Sequence, residues 1–165
     1  MSIIDKIVKK LNMSPHPEGG YYVETYRSEI NVDNIYANAK YGDSRKIATC
    51  IYYLLTNNDV SKFHKLKSDE FWFYHTGSSA MVYIINKDGI LEKRKLGNDI
   101  LHNESPQILI EAGNIFGAEV IDKKSFILLS CIVVPGFDFN DFELVNRIEL
   151  LHKYPKYNDL IYRLS

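Results

Sequence analysis

His64 and Glu70 stand on either side of a polar corner, Lys67-Ser68-Asp69, and the rest of the chain reads as scaffold around them. After the corner the sequence alternates with strand period. Glu70, Trp72 and Tyr74 point one way, and Phe71, Phe73 and His75 the other. A carboxylate that shares a strand face with Trp and Tyr is costly to bury unpaired. Glu70 therefore requires a partner, a ligand or water, and His64 is the nearest candidate in the sequence. A carboxylate beside an imidazole orients the ring and favours its charged form, which suits general acid/base work. The same two residues would also serve as an ordinary structural pair on a sheet. Tyr74 or Tyr26 could act as the acid on the other face of a substrate, since a tyrosine proton can be delivered to an enolate.

Other residues could hold or shape a ligand. Gln107 offers both a donor and an acceptor, or is merely structural. Trp72, Tyr74 and Phe116 become pocket walls if they face a barrel mouth, and plain core otherwise. The fork of Arg27 suits a carboxylate or phosphate, with an ion pair to Glu24 or Asp141 as the alternative. His16 and Glu18 lie in Pro15-His16-Pro17-Glu18-Gly19-Gly20, where two prolines fix φ and two glycines permit positive φ. That loop is specified rather than slack. His16 and Glu18 are read as holding it against a neighbouring strand or a dimer partner rather than as chemical groups.

The elements that must position these residues follow from periodicity. Residues 2–12 form an amphipathic helix, with Ser2 and Asp5 at the spacing of a capping-box variant. Residues 21–27 alternate as a strand that places Tyr22, Glu24 and Tyr26 on one face. Residues 30–46 are polar and read as a long loop, either an active-site cover or a surface excursion. From residue 47 the pattern is all β. Strands run over 47–55, 80–85, 90–96, 107–110, 115–121 and 125–134, with the Asn86-Lys87-Asp88-Gly89 hairpin turn among their connections. Pro135-Gly136 ends the last strand. Asp141 is placed to cap a helix through Leu144, Ile148 and Leu151, and a final helix covers residues 158–164. Many short strands at regular spacing argue a barrel or double-sheet jelly roll.

The whole chain, 165 residues, makes one domain with a sizeable core. Its 12 tyrosines suit sheets and a cavity lined by rings. A formal net charge of −1 leaves no footprint for nucleic acid or an anionic membrane. Cys50 and Cys131 fall inside apolar strands and read as free buried thiols. The N-terminus lacks the shape of a signal peptide, and the longest apolar run, Phe126 to Val134, is too short to span a bilayer. A cytoplasmic setting is the expectation.

A resemblance covers nearly the whole chain. Its residues are Pro15-His16-Pro17-Glu18-Gly19-Gly20-Tyr21-Tyr22, Glu24-Thr25-Tyr26-Arg27-Ser28, His64, Leu66, Ser68-Asp69-Glu70, Trp72 and Gly77. Leu96-Gly97, Pro106-Gln107, Ala112-Gly113, Phe116-Gly117-Ala118, Pro135-Gly136-Phe137-Asp138-Phe139 and Asp141-Phe142 complete it. In these the chain resembles the cupin superfamily, and within it the group of small proteins called DUF985 or cupin type 5. The resemblance implies a double-stranded β-helix barrel, commonly a homodimer, with a pocket in its mouth.

Metal-binding cupins typically carry two His two residues apart with a Glu a few residues on, then a third His after a Pro-x-Gly turn. Here His64 and Glu70 match the first His and the Glu, while Leu66 and Phe116 stand where the other two His would be. Glu111 replaces the usual Pro, and Ile115 sits where close relatives often have Trp. His75 has the opposite strand parity and His102 lies in a polar loop. Two protein ligands are too few for a catalytic metal, which normally has three and an open position. No cofactor is expected, with a metal on His64 and Glu70 as the alternative. The leading functional expectation is a protein that binds a small polar metabolite in the barrel mouth, resembling the metal-independent sugar epimerases and isomerases, with a His64–Glu70 pair. A non-catalytic binding module and a metal-dependent cupin with a degenerate site are the alternatives.

Overall fold

The computed structural model describes residues 1–33, 40–122 and 124–165. The chain opens with α1 (Ile3–Leu11), whose N-terminus is closed by reciprocal Ser2 and Asp5 bonds and whose C-terminus turns left-handed at Asn12. The strands that follow are β1 (Ser14–Pro15), β2 (Tyr21–Arg27), β3 (Asn31–Val32), β4 (Arg45–Lys46), β5 (Thr49–Thr56), β6 (Ser61–Leu66) and β7 (Asp69–Gly77). Next come β8 (Ala80–Ile85), β9 (Leu91–Leu96), β10 (Glu104–Ser105), β11 (Gln107–Ile110), β12 (Ile115–Val120), β13 (Phe126–Val134) and β14 (Phe142–Leu144). Two helices, α2 (Arg147–Lys153) and α3 (Asn158–Arg163), close the described chain.

The strands build two six-stranded sheets, ordered β1-β2-β5-β13-β7-β11 and β10-β9-β8-β12-β6-β14. Their inner faces meet in one core, where Tyr53, Leu55, Trp72, Ile127 and Leu129 of the first sheet pack against Val82, Ile84, Phe116 and Ala118 of the second. This is the double-sheet barrel that the strand pattern predicts. Registers fix which side chains look inward. Glu70 lies opposite Val133 and Ile110, and Trp72 opposite Cys131 and Ile108, so the Glu70-Trp72-Tyr74 face is the inner one. The outer face of the second sheet is covered by the C-terminal helices, where Phe63, Tyr83 and Ile85 bury Leu150, Ile161 and Leu164. On the outer face of the first sheet Leu54 is buried, while Tyr52, Phe71, Phe73 and Ile132 are half-buried. No helix among the described residues is long and apolar enough to cross a membrane.

Two local expectations give way. Asp141 does not cap a helix. Its carboxylate accepts Arg45 Nε at 2.6 Å and Nη2 at 3.0 Å, both groups being buried. The chain therefore continues as β14 beside β6, and α2 starts later with Asn146 as its cap. In the segment read as a long loop, β3 and β4 pair as a ribbon, while residues 34–39 lie outside the described residues. The reading of that stretch as a site cover lies with them.

Candidate functional site

The barrel mouth is built from the 15–20 loop inward. Gly19 and Gly20 have φ of +118° and +67°, and a Cβ on Gly19 would stand 2.0 Å from the Val60 carbonyl oxygen. Only glycine fits there. The loop is then clamped to its neighbours. Gly20 N–H donates to Asp59 at 2.6 Å, Tyr53 O–H to the Gly19 carbonyl at 2.8 Å, and Lys62 N–H to the Glu18 carbonyl at 2.8 Å. This drives the Glu18 side chain into the barrel, where Oε1 accepts the Ser61 hydroxyl at 3.0 Å and Oε2 lies 3.2 Å from His64 Nε2.

His64 is anchored at its other nitrogen. Nδ1 lies 2.7 Å from the Lys62 carbonyl, which can only accept, so Nδ1 carries a proton. The Nε2–Glu18 contact is then a hydrogen bond only if a further proton lies between them, on the imidazole or on the carboxyl. His64 and Glu18 thus face each other at 3.2 Å in the cavity wall. His16 sits beside them as a neutral ring. Its Nδ1 accepts the Glu18 N–H at 3.3 Å, and burial holds its pKa below the ordinary value against the opposing pull of the Glu18 charge. Its 3.5 Å approach to Glu18 Oε2 is thus proximity rather than an ion pair. The edge of Tyr22 packs on it at 4.8 Å between ring centres.

Glu70 faces this group from the opposite sheet. Burial, and then the charge of Glu18, push its pKa from an ordinary 4.5 up to about 8. The Trp72 indole N–H and the Cys131 thiol temper the rise. Neither closes a hydrogen bond onto Oε2, which is buried without a partner among the described residues, as is Trp72 Nε1. Cys131 is itself pushed well above the thiol range by burial and by the Glu70 and Glu18 charges, so it stays protonated. Cys50 and Cys131 are both free.

These groups open on a cavity of about 560 Å³ between the sheets. Leu66, Ile51, Val133 and Tyr22 continue its wall, and Phe137, Phe139 and Phe142 close one side. His64, Glu70 and Arg27 all line it. The expected His64–Glu70 hydrogen bond is replaced, because Glu18 takes His64 Nε2 and leaves Glu70 across the cavity. Arg27 holds Glu24 through two bonds of 3.0 and 2.6 Å and reaches the Phe137 carbonyl with Nη1 at 3.2 Å.

The other expected residues sit elsewhere. Trp72 and Phe116 are inner core, each 1% exposed, and Phe116 packs on the His64 ring at 4.0 Å. Tyr74 is four residues further along β7 than Glu70 and donates to the Gly77 carbonyl at 2.7 Å. A register shift between Glu24 and Tyr26 leaves Tyr26 55% exposed and brings Arg27 to the cavity. Gln107 pairs with Phe73, so it has outward parity and is exposed.

The donors do not suit a catalytic metal. Among the described residues no three His, Cys, Asp or Glu side chains come together in a geometry that could hold an ion. Leu66 in the wall and Phe116 against His64 supply no ligand atom. What the strand alternation alone missed is Glu18. Its signal was a carboxylate in a loop over-determined by Pro and Gly.

Known proteins share this architecture. A family model described as "Cupin superfamily (DUF985)" matches residues 5–145. An uncharacterized protein of Saccharomyces cerevisiae, YML079W, is 30% identical over 149 residues, covering 85% of this chain and 74% of its own. Protein SO0799 of Shewanella oneidensis superposes with a TM-score of 0.89 at 38% identity, over 100% of this chain and 98% of its own. A hypothetical protein from Leishmania major gives 0.88 at 34%, over 98% and 97%. Oxalate decarboxylase of Bacillus subtilis, at 13% identity and a TM-score of 0.56 over 92% of this chain and 37% of its own, shares the fold alone. The barrel, its Gly-locked loop and the full-length match together make this chain a member of the DUF985 family of the cupin superfamily.

Proposed function

We propose that the protein binds a small molecule in the barrel mouth and fixes it through Glu70. The observation that carries this is Glu70, which lines the cavity and whose buried Oε2 lacks a partner among the described residues. A polar atom so placed costs about 1–3 kcal/mol unless a bound group or water satisfies it. A cavity of 560 Å³ with ring walls and few polar groups has the size and character of a metabolite site. Identifying the molecules released on mild denaturation by mass spectrometry tests the reading. The wild-type protein should yield one compound near one per chain, and Glu70→Ala should yield far less. Equal recovery from both would overturn it.

The His64–Glu18 pair favours a second reading, metal-independent proton transfer of the epimerase or isomerase kind. The His64–Glu18 contact and the proton that burial keeps on Glu70 face each other across one cavity. A released compound incubated with enzyme in deuterated water should gain deuterium, and His64→Ala should abolish the gain. No exchange with wild-type protein would leave a binding module.

A partner is proposed from one apolar surface. The half-buried Tyr52, Phe71, Phe73 and Ile132 on the outer face of the first sheet suit a homodimer, since a twofold contact would bring one such apolar patch against its copy. Phe73→Lys should then halve the native mass.

A further inference from the structure

The charges around the cavity narrow the ligand class, building on the binding function proposed above. Glu18, Glu24 and Asp138 line it, together with Glu70, which burial keeps protonated at pH 7, against one permanently charged cation, Arg27. Arg27 is paired: Nε and Nη2 bind Glu24, and Nη1 binds the Phe137 carbonyl. His64 faces Glu18, and His16 Nδ1 already accepts a backbone N–H. Residues 34–39, Asn-Ile-Tyr-Ala-Asn-Ala, bring no charged side chain. A phosphate or carboxylate entering the mouth would thus meet carboxyl groups with no unpaired guanidinium or ammonium among the described lining residues to answer it.

The remaining wall is aromatic. Phe137 and Phe139 stand edge to face at 5.0 Å, and Phe142 is 6.1 Å from Phe137. Phe139 is 53% exposed although it borders the cavity, so its ring forms part of the rim. We infer that the cavity takes an uncharged small molecule, which lays a ring or other flat apolar part against Phe137, Phe139 and Phe142 and turns one polar group to Glu70. Nucleotide-linked, phosphorylated and carboxylate metabolites are rejected.

The test uses two probes of equal shape and different charge, benzamide and benzoate, with ligand-observed NMR on the full chain at pH 7. Benzamide should bind about tenfold more tightly than benzoate, the ratio that one modest like-charge encounter produces. Glu24→Gln releases Arg27 and should close most of that gap. Glu70→Leu should abolish benzamide binding. Benzoate binding as tightly as benzamide, no detectable benzamide binding, or an unchanged gap in Glu24→Gln would each overturn the inference. An anion recovered from the native protein would sink this inference alone and leave the binding function standing. Benzamide binding untouched by Glu70→Leu would remove both.

Discussion

Glu70→Gln removes an ionisable group whose proton is held far more tightly in the folded chain than in the unfolded one. In the native barrel the carboxyl titrates at about 8, against an ordinary 4.5. Between those limits the folded state binds more protons than the unfolded state, so stability falls as pH rises through the window and levels off above pH 8. At about 1.4 kcal/mol per pH unit the full effect is on the order of 5 kcal/mol, and about 3 kcal/mol of it falls between pH 5.5 and 8.5. The glutamine keeps the size of the side chain and lacks the titration. Urea unfolding of both proteins at pH 5.5, 7 and 8.5 measures the difference. Glu70→Gln should gain on wild type by about 3 kcal/mol across that range, with unchanged m-values. Parallel profiles would show that Glu70 is an ordinary carboxylate and that the barrel mouth does not bury it dry.

Other expectations follow from the same geometry. Glu18→Gln removes the second cause of the raised Glu70 pKa, so the falling part of the wild-type profile should end at lower pH in that variant. Arg45→Met leaves the buried Asp141 carboxylate with Lys67 Nζ at 3.4 Å and should cost about 1–3 kcal/mol in urea unfolding, while Asp141→Asn with Arg45→Met together should cost less. Gly19→Ala forces a Cβ toward the Val60 carbonyl at positive φ. It should cost at least about 2 kcal/mol and lower recovery of the bound compound by displacing Glu18. Tyr26→Phe and Gln107→Ala lie outside the cavity and should leave that recovery unchanged.

How far the sequence reaches depends on whether an interaction is local. Strand period placed Glu70 and Trp72 inward correctly, because alternation is a property of the strand itself. The capping box of α1 is equally local, and it forms as read. The partner of His64 was not legible in the same way. Glu18 is 46 positions away from it by the numbering and reaches it only because two positive-φ glycines fold the loop inward. Tyr26 failed for a similar reason, since one bulge reverses parity without any mark in the alternation. Asp141 reads as a helix cap until Arg45, from a distant strand, is seen to need it. The aromatic wall of Phe137, Phe139 and Phe142 was visible as alternation with acids, but its closure over the mouth depends on β14 pairing with β6.

The central claim is that a small molecule satisfies Glu70 in the barrel mouth. A crystal structure with the released compound rebound tests it most directly. The account predicts a polar atom of that compound within hydrogen-bond distance of the Glu70 carboxyl group and its apolar part against Phe142. Density for the compound outside the cavity, with Glu70 unaltered by its presence, would contradict it.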